Sequence, residues 1–180
     1  MSSPHNSVIL VDEHDNEIGT EEKLKAHELG LLHRAFSVCV LRKQNDAWQI
    51  LLQQRAHGKY HSGGLWTNTC CSHPRPGEQT LHAAERRLKE EMGITAPLIL
   101  ADSFVYQASL DNNLTEHELD HVFIAITNSD INIILNPDEA IDYHWIDIVH
   151  LHQDIKKHPE NYTAWLDRVI EIVWSSVIGT

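Results

Sequence analysis

The sequence predicts an α/β (α+β) sandwich built on a mixed β-sheet that is flanked by helices. Runs rich in β-branched and aromatic residues lie on both sides of one strongly helical segment, and a second helical segment follows near the end. Strands are predicted over residues 7–11, 35–41, 48–54, 98–108, 116–127 and 143–146. The polar stretch 43–46 predicts that the second and third of these runs form a hairpin.

The central helix is predicted over residues 80–92, and Gly93 follows it as a natural C-terminal cap. Its apolar residues fall near one face: Leu81, Ala84, Leu88 and Met92. A short helix is predicted over 21–29. The apolar periodicity of residues 162–177 predicts an amphipathic helix that packs on the sheet.

Composition narrows the class of protein. A chain of 180 residues with 42% apolar residues favours one globular domain, residues 1–180. No apolar run approaches the roughly 20 residues of a membrane helix, and residues 1–7 lack the pattern of a signal peptide. A net charge of −12 argues against a nucleic-acid partner. Three cysteines form no disulfide framework, so we expect a reducing, cytoplasmic location without membrane partners.

A thiol and an imidazole lie close together in residues 66–78, where Cys71 precedes His73 by two positions. The helix that follows carries Glu90 and Glu91, and Glu78 stands at its entrance, so these carboxylates could converge on a hard cation such as Mg²⁺. The alternative is an exposed helix with ion pairs between neighbouring turns, which the local pattern alone favours.

Three histidines and two glutamates form a second candidate site. Glu116 and Glu118 alternate along a predicted strand, so both project from the same face. Together with His27, His33 and His73 they would suit a divalent transition metal. Taken singly, each histidine is better interpreted as a surface residue than as a ligand, and spacing alone does not join residues so far apart in the chain.

Residues 72–94 resemble the Nudix box. The matching positions are Glu78, Arg86, Leu88, Glu90, Glu91, Gly93 and Ile94. Two positions depart from it, because Ser72 replaces the opening glycine and Arg87 replaces the glutamate after Arg86. Exchanging one carboxylate of a metal cluster for a cation argues against pyrophosphate hydrolysis. The departure suggests a diphosphate that is held and not cut.

Four segments resemble the signatures of the type I isopentenyl-diphosphate Δ-isomerase family, a divergent branch of the Nudix fold. They are residues 34–37, 54–56, 66–74 and 116–118. The resemblance implies a Nudix-like sheet and a metal site whose ligands are His27, His33, His73, Glu116 and Glu118. It implies that Cys71 and Tyr106 carry protons, that Glu91 binds magnesium and that Trp165 lies over the substrate. The cations that it implies for the diphosphate are Lys23, Arg55, Lys59 and Arg87.

The resemblance implies the interconversion of isopentenyl and dimethylallyl diphosphate through a carbocation. Glu118 with Tyr106 would supply one proton, and Cys71 on the opposite face would handle the other. Mg²⁺ would accompany the substrate at Glu91, and Mn²⁺ or Zn²⁺ would fill the histidine site. The alternatives are a Nudix-type diphosphate hydrolase and a non-catalytic metal- or phosphate-binding module. His27 and His33 lie six residues apart, one fewer than is usual in that family. This deletion could turn the His27 side chain away from the metal site.

Overall fold

The computed structural model describes residues 6–128 and 130–178, which form nine strands and four α-helices. In chain order these are β1 (Ser7–Val11), β2 (Glu17–Glu22), α1 (Lys23–Leu29), β3 (His33–Gln44), β4 (Ala47–Arg55), β5 (Trp66–Thr67), β6 (Cys70–Ser72), α2 (Thr80–Met92), β7 (Ile99–Ser109), β8 (Thr115–Ile126), β9 (Ala140–Asp147), α3 (Ile148–Lys157) and α4 (Leu166–Val177). None of these helices is both long and apolar enough to cross a membrane.

Strand β3 is the centre of the sheet. It pairs in parallel with β8, and it pairs antiparallel with β1, β4 and β6. The β3–β4 hairpin turns at Asn45 and Asp46, whose φ values of 50° and 62° are those of a tight two-residue turn. The mixed sheet and the hairpin therefore agree with the sequence prediction.

Helices cover both faces of the sheet. Alternate residues of β3 point to opposite sides, so Val38 and Val40 pack with α2, whereas Cys39 and Leu41 pack with α3 and α4. This two-sided burial explains why β3 is an almost uninterrupted apolar run. The predicted sandwich is confirmed, and each face has its own core cluster.

Helix α2 has the predicted bounds, Thr80–Met92, because Gly93 adopts a left-handed conformation with φ of 68° and ends it. Within it Ala84, Leu88 and Met92 are buried, whereas Leu81 is 37% exposed and does not belong to the core face.

Two helix starts were predicted too early. The Glu22 carboxylate accepts hydrogen bonds from the backbone amides of Leu24 and Lys25, so α1 begins at Lys23. Residues 162–165 precede the last helix, which begins at Leu166. Strands β2, β5 and β6 and helix α3 were not predicted as separate elements.

Candidate active site

Five side chains from four segments converge at one end of the sheet. His27 comes from α1, His33 begins β3, His73 follows β6, and Glu116 and Glu118 share one face of β8. The parallel register of β3 and β8 places His33 directly opposite Glu118. Their candidate ligand atoms all lie within 4.8 Å of one another, as predicted for a common site.

The tautomers of two histidines fit a bound cation. His27 Nδ1 donates to the carbonyl oxygen of Lys23 at 2.7 Å, and His33 Nδ1 donates to that of Leu31 at 2.8 Å. Burial lowers the pKa of His27 to about 4, so the ring is neutral at pH 7 and its Nε2 carries a lone pair. That nitrogen lies 2.7 Å from Glu116 Oε1, which is also only an acceptor when ionised. Either a proton shared by these two atoms or a cation bound by both would satisfy them, and the Nδ1 bonds are the outer contacts usual for metal-binding histidines.

The short spacing between His27 and His33 does not remove His27 from the cluster. Helix α1 ends at Gly30, which adopts a left-handed conformation with φ of 63°, and the Leu31 amide donates to the Ala26 carbonyl oxygen. This tight turn leads directly into β3. The two imidazole rings consequently lie 4.8 Å apart, centre to centre.

Glu118 joins the cluster to a phenol. Its Oε1 lies 2.6 Å from His73 Nε2, and its Oε2 accepts a hydrogen bond of 2.6 Å from the Tyr106 hydroxyl. Although burial opposes ionisation, the neighbouring imidazoles of His33 and His73 hold the pKa of Glu118 well below its usual range. Burial, together with the neighbouring Glu118, raises the pKa of Glu116 well above its usual range. Glu116 therefore holds a proton more readily than Glu118.

A cavity of about 230 Å³ opens beside this cluster, and Glu116, Glu118 and His73 line it. Its wall also carries the four predicted diphosphate-binding cations: Lys23, Arg55, Lys59 and Arg87. Burial, followed by the charges of Lys59, Arg87 and Arg55, lowers the pKa of Lys23 to about 8. The cations are therefore close enough to act on one another, and an anion could bind among them.

Cys71 lines the same cavity from the other side of β3. It lies in β6 and pairs in register with Ser37, while β8 pairs with the opposite edge of β3. Burial raises the pKa of the Cys71 thiol to about 12, although Arg55 Nη1 lies only 3.9 Å from its sulfur. The thiol is thus protonated at neutral pH. Cys39 and Cys70 are fully buried and pack in the core clusters on opposite faces of the sheet.

Known proteins resemble the chain over most of its length. The NUDIX domain family matches residues 31–166. Isopentenyl-diphosphate Delta-isomerase 2 of Aromatoleum aromaticum is 53% identical over 169 residues, which cover 92% of this chain and 87% of that protein. Isopentenyl-diphosphate Delta-isomerase of Photobacterium profundum is 50% identical and covers 92% of this chain and 93% of its own. The chain belongs to the isopentenyl-diphosphate Delta-isomerase family.

Solved structures support the fold. DR0079 from Deinococcus radiodurans superimposes with a TM-score of 0.73 at 18% identity, covering 92% of this chain and 97% of that one. An Ap4A hydrolase of C. elegans gives 0.59 at 21% identity, covering 82% and 98%. The chain therefore has a NUDIX fold and belongs to the isopentenyl-diphosphate Delta-isomerase family.

Trp165, the aromatic residue that this family resemblance places over the substrate, belongs to both core and cavity. The ring is 4% exposed, packs in the core cluster with α4 and also lines the cavity. Its Nε1 donates to Asn68 Oδ1 at 3.2 Å, which fixes its orientation. The ring therefore packs in the core and at the same time forms part of the cavity wall.

The carboxylates of the Nudix-like segment do not converge as their spacing suggested. Glu78 and Glu90 both bind the Arg86 guanidinium, with its Nε 2.7 Å from Glu78 and its Nη1 3.2 Å from Glu90. Glu91 is buried and accepts from Arg87 at 2.6 Å and from Gln53 at 2.8 Å. It lies outside the five-residue cluster, so a magnesium ion at Glu91 would occupy a separate position.

Two residues of the cavity were not found from the sequence. His61 is buried, with its Nε2 3.4 Å from Glu116 Oε2. Glu139 forms ion pairs with both Lys59 and Arg87. Neither lies in a segment with a recognisable motif, and their proximity depends on contacts across 52 to 80 positions, so no local signal points to them.

Proposed function

We propose that this protein interconverts isopentenyl diphosphate and dimethylallyl diphosphate. The observation that carries the proposal is one cavity whose wall holds Cys71 on one side of β3 and Glu118 on the other, with four cations beside them. A reaction that adds a proton at one carbon and removes one from a neighbour needs two such groups and an anchor for the diphosphate. The names of the relatives specify the same reaction for those proteins.

Lys23, Arg55, Lys59 and Arg87 hold the diphosphate in this proposal. In a chain of net charge −12, six lysine and arginine side chains line this cavity, these four together with Arg75 and Arg86, against three glutamates, and this local excess of positive charge favours an anionic ligand. Arginine side chains can bind phosphate oxygens through two parallel hydrogen bonds, which fixes orientation as well as adding affinity. The hydrocarbon part of the substrate is then directed at the groups that carry protons.

The reaction is a balanced exchange of two protons. The Glu118–Tyr106 pair supplies the proton that adds to the terminal alkene carbon: the proton is on the Tyr106 hydroxyl, which donates a hydrogen bond to the ionised Glu118, and the resulting cation is tertiary. The Cys71 thiol/thiolate pair handles the second proton, on the other side of the bound chain: the thiolate accepts it from the neighbouring carbon of isopentenyl diphosphate, and the thiol, which burial favours, donates it in the reverse direction. The double bond then lies one position further along, and the diphosphate is unchanged.

Trp165 shields the cationic intermediate. Its indole ring lies in the cavity wall, 6.4 Å from the Tyr106 ring, centre to centre. An aromatic face stabilises a neighbouring cation by about 0.5–2 kcal/mol, with the upper value for sites without water. The same ring excludes water that would otherwise add to the intermediate.

His27, His33, His73, Glu116 and Glu118 would hold a divalent transition metal, Mn²⁺ or Zn²⁺. When bound, such an ion would supply positive charge that orients Glu118 and favours its ionised form. Glu91 would bind the Mg²⁺ that arrives with the diphosphate, as magnesium commonly does. A cytoplasmic location, a single domain and the lack of nucleic-acid or membrane partners remain predictions.

The experiment is to incubate the purified protein with isopentenyl diphosphate and Mg²⁺ and to follow carbon and phosphorus by NMR. Dimethylallyl diphosphate with both phosphorus signals intact is the expected result. Release of phosphate would instead support the hydrolase alternative, against which Arg87 argues by occupying a carboxylate position of the Nudix box. Matched incubations with Mn²⁺ and Zn²⁺ ensure that the histidine site is filled.

A further inference from the structure

Glu139 is a carboxylate among the cations of the cavity. Its Oε2 lies 2.5 Å from Lys59 Nζ, and its Oε1 lies 2.9 Å from Arg87 Nη2. All three side chains line the cavity, and each is about one fifth exposed. One carboxylate thus forms ion pairs with two of the cations that the proposed function assigns to the diphosphate.

The backbone holds Glu139 firmly in this position. It lies in a turn in which its own amide donates to the Asn136 carbonyl oxygen. The Asn136 amide donates to the carbonyl oxygen of Glu91 at the end of α2, and the Ala56 amide donates to the carbonyl oxygen of Glu139. Glu139 is therefore fixed to the elements that carry Arg87 and Lys59, and its charge stays near them.

Glu139 is anionic at any physiological pH. Burial opposes its ionisation, but the hydrogen bonds from Lys59 and Arg87 hold its pKa at about 2. A free diphosphate that enters the cavity meets this negative charge and competes with it for the same two cations. Like charges at close range in a partly buried site are strongly unfavourable.

We propose that Glu139 makes diphosphate binding depend on magnesium, so that the cavity selects the magnesium complex over the free diphosphate. This inference rests on the proposed function and adds a specificity-determining residue to it. A magnesium ion on the diphosphate offsets part of its charge and offers a partner for a nearby carboxylate. Glu139 therefore weakens binding of the free anion and leaves binding of the complex largely unaffected.

The test is calorimetric titration of the metal-replete protein with inorganic diphosphate, in magnesium-free buffer and again with excess Mg²⁺. The wild type is compared with Glu139→Gln, which removes the charge and keeps the shape. Asp138→Asn is the matched control, because Asp138 is the exposed neighbouring carboxylate in the same turn. Circular dichroism and thermal melting check that each variant is folded, and Glu139→Asp replaces the glutamine variant if that one is unfolded.

We expect Glu139→Gln to bind magnesium-free diphosphate at least about tenfold more tightly than the wild type, since one repulsive charge is lost. Its gain in affinity on adding Mg²⁺ should shrink by the same factor, and Asp138→Asn should behave as the wild type. Glu139→Asp, which moves the carboxylate back from both cations, should change the ratio in the same direction but less.

An unchanged ratio of the two affinities in Glu139→Gln would overturn the inference. Weaker binding under both conditions would also overturn it, because Glu139 would then only orient Lys59 and Arg87. If the wild type turns over isopentenyl diphosphate but removing the charge of Glu139 leaves the ratio of the two affinities unchanged, this inference alone is rejected. A wild type that binds diphosphate with the expected magnesium dependence but forms no dimethylallyl product would reject the proposed function.

Discussion

At the scale of single residues, the hydrogen bond from the Tyr106 hydroxyl to Glu118 Oε2 joins the phenol to the carboxylate that we assign to proton transfer. Tyr106→Phe removes that donor and keeps the ring, which packs against Phe104 and Trp165. Because a positioned acid or base contributes typically 10²–10⁴-fold to a rate, we expect kcat to fall by about 10²-fold or more. Steady-state kinetics with isopentenyl diphosphate measure it.

Tyr162→Phe is the control for that variant. The Tyr162 hydroxyl donates to Asp154 at 2.6 Å, so the same chemical change is made to a bond outside the cavity. This second variant should retain the wild-type kcat. Equal kcat values for Tyr106→Phe and the wild type would show that the phenol takes no part in the reaction.

The residues of the site differ in whether the sequence alone could identify them as members of it. The resemblance singled out His27 and Glu118, and the structure brings them into one cluster although they lie far apart in the chain. Periodicity alone could not do so, because the cluster depends on the parallel pairing of β3 with β8. The sequence did not identify Glu139, because only its ion pairs with Lys59 and Arg87 in the folded protein place it at the site.

At the scale of elements, the end of α2 is sensitive to one glycine. Gly93 has φ of 68°, and a Cβ added there would lie 2.8 Å from the Cβ of Ile134. Gly93→Ala should therefore lower the free energy of unfolding by about 1–2 kcal/mol, because alanine disfavours the left-handed conformation. The loss should be larger if Ile134 does not move away from the added Cβ. Urea denaturation followed by circular dichroism measures the change.

Gly58→Ala provides the comparison. Gly58 has no atom within 4 Å of an added Cβ, so alanine fits there without contact. We expect this variant to be as stable as the wild type within about 0.5 kcal/mol. Equal stabilities of the two alanine variants would contradict the proposed constraint at the end of α2.

Elements were predictable where local chemistry decided them. Helix α2 combined a clear apolar face with a glycine stop, and the β3–β4 hairpin combined apolar runs with a polar turn. Strand β2 carries the residues EIGTEE with no buried position, so nothing in its pattern marks it as a strand. Strands β5 and β6 span two and three residues, too few for a periodicity, and exist because of pairing with β4 and β3.

At the scale of the whole molecule, the candidate metal cluster joins four parts of the chain. Because it gathers side chains from α1, β3, β8 and the segment after β6, an ion bound there favours the folded state over the unfolded one. An ion present at about 100 times its dissociation constant adds about 2.7 kcal/mol, and a domain of this size should then lose roughly 5–10 °C in Tm when the ion is removed.

Differential scanning calorimetry before and after treatment with a chelator measures that loss, and Zn²⁺ or Mn²⁺ should restore the original Tm. His73→Ala, which removes one ligand, should respond much less to the chelator. A wild-type Tm that is insensitive to removal of a stoichiometrically bound metal would contradict the assignment of the cluster as a metal site.

The central claim is that the cavity moves protons on the carbon chain of the substrate and leaves the diphosphate intact. The most direct measurement is turnover of isopentenyl diphosphate in D₂O with Mg²⁺, followed by deuterium and phosphorus NMR, for the wild type and for Cys71→Ala. We predict dimethylallyl diphosphate with carbon-bound deuterium from the wild type, and none from the folded, metal-binding Cys71→Ala variant. Release of phosphate, or equal turnover by the two proteins, would contradict the account.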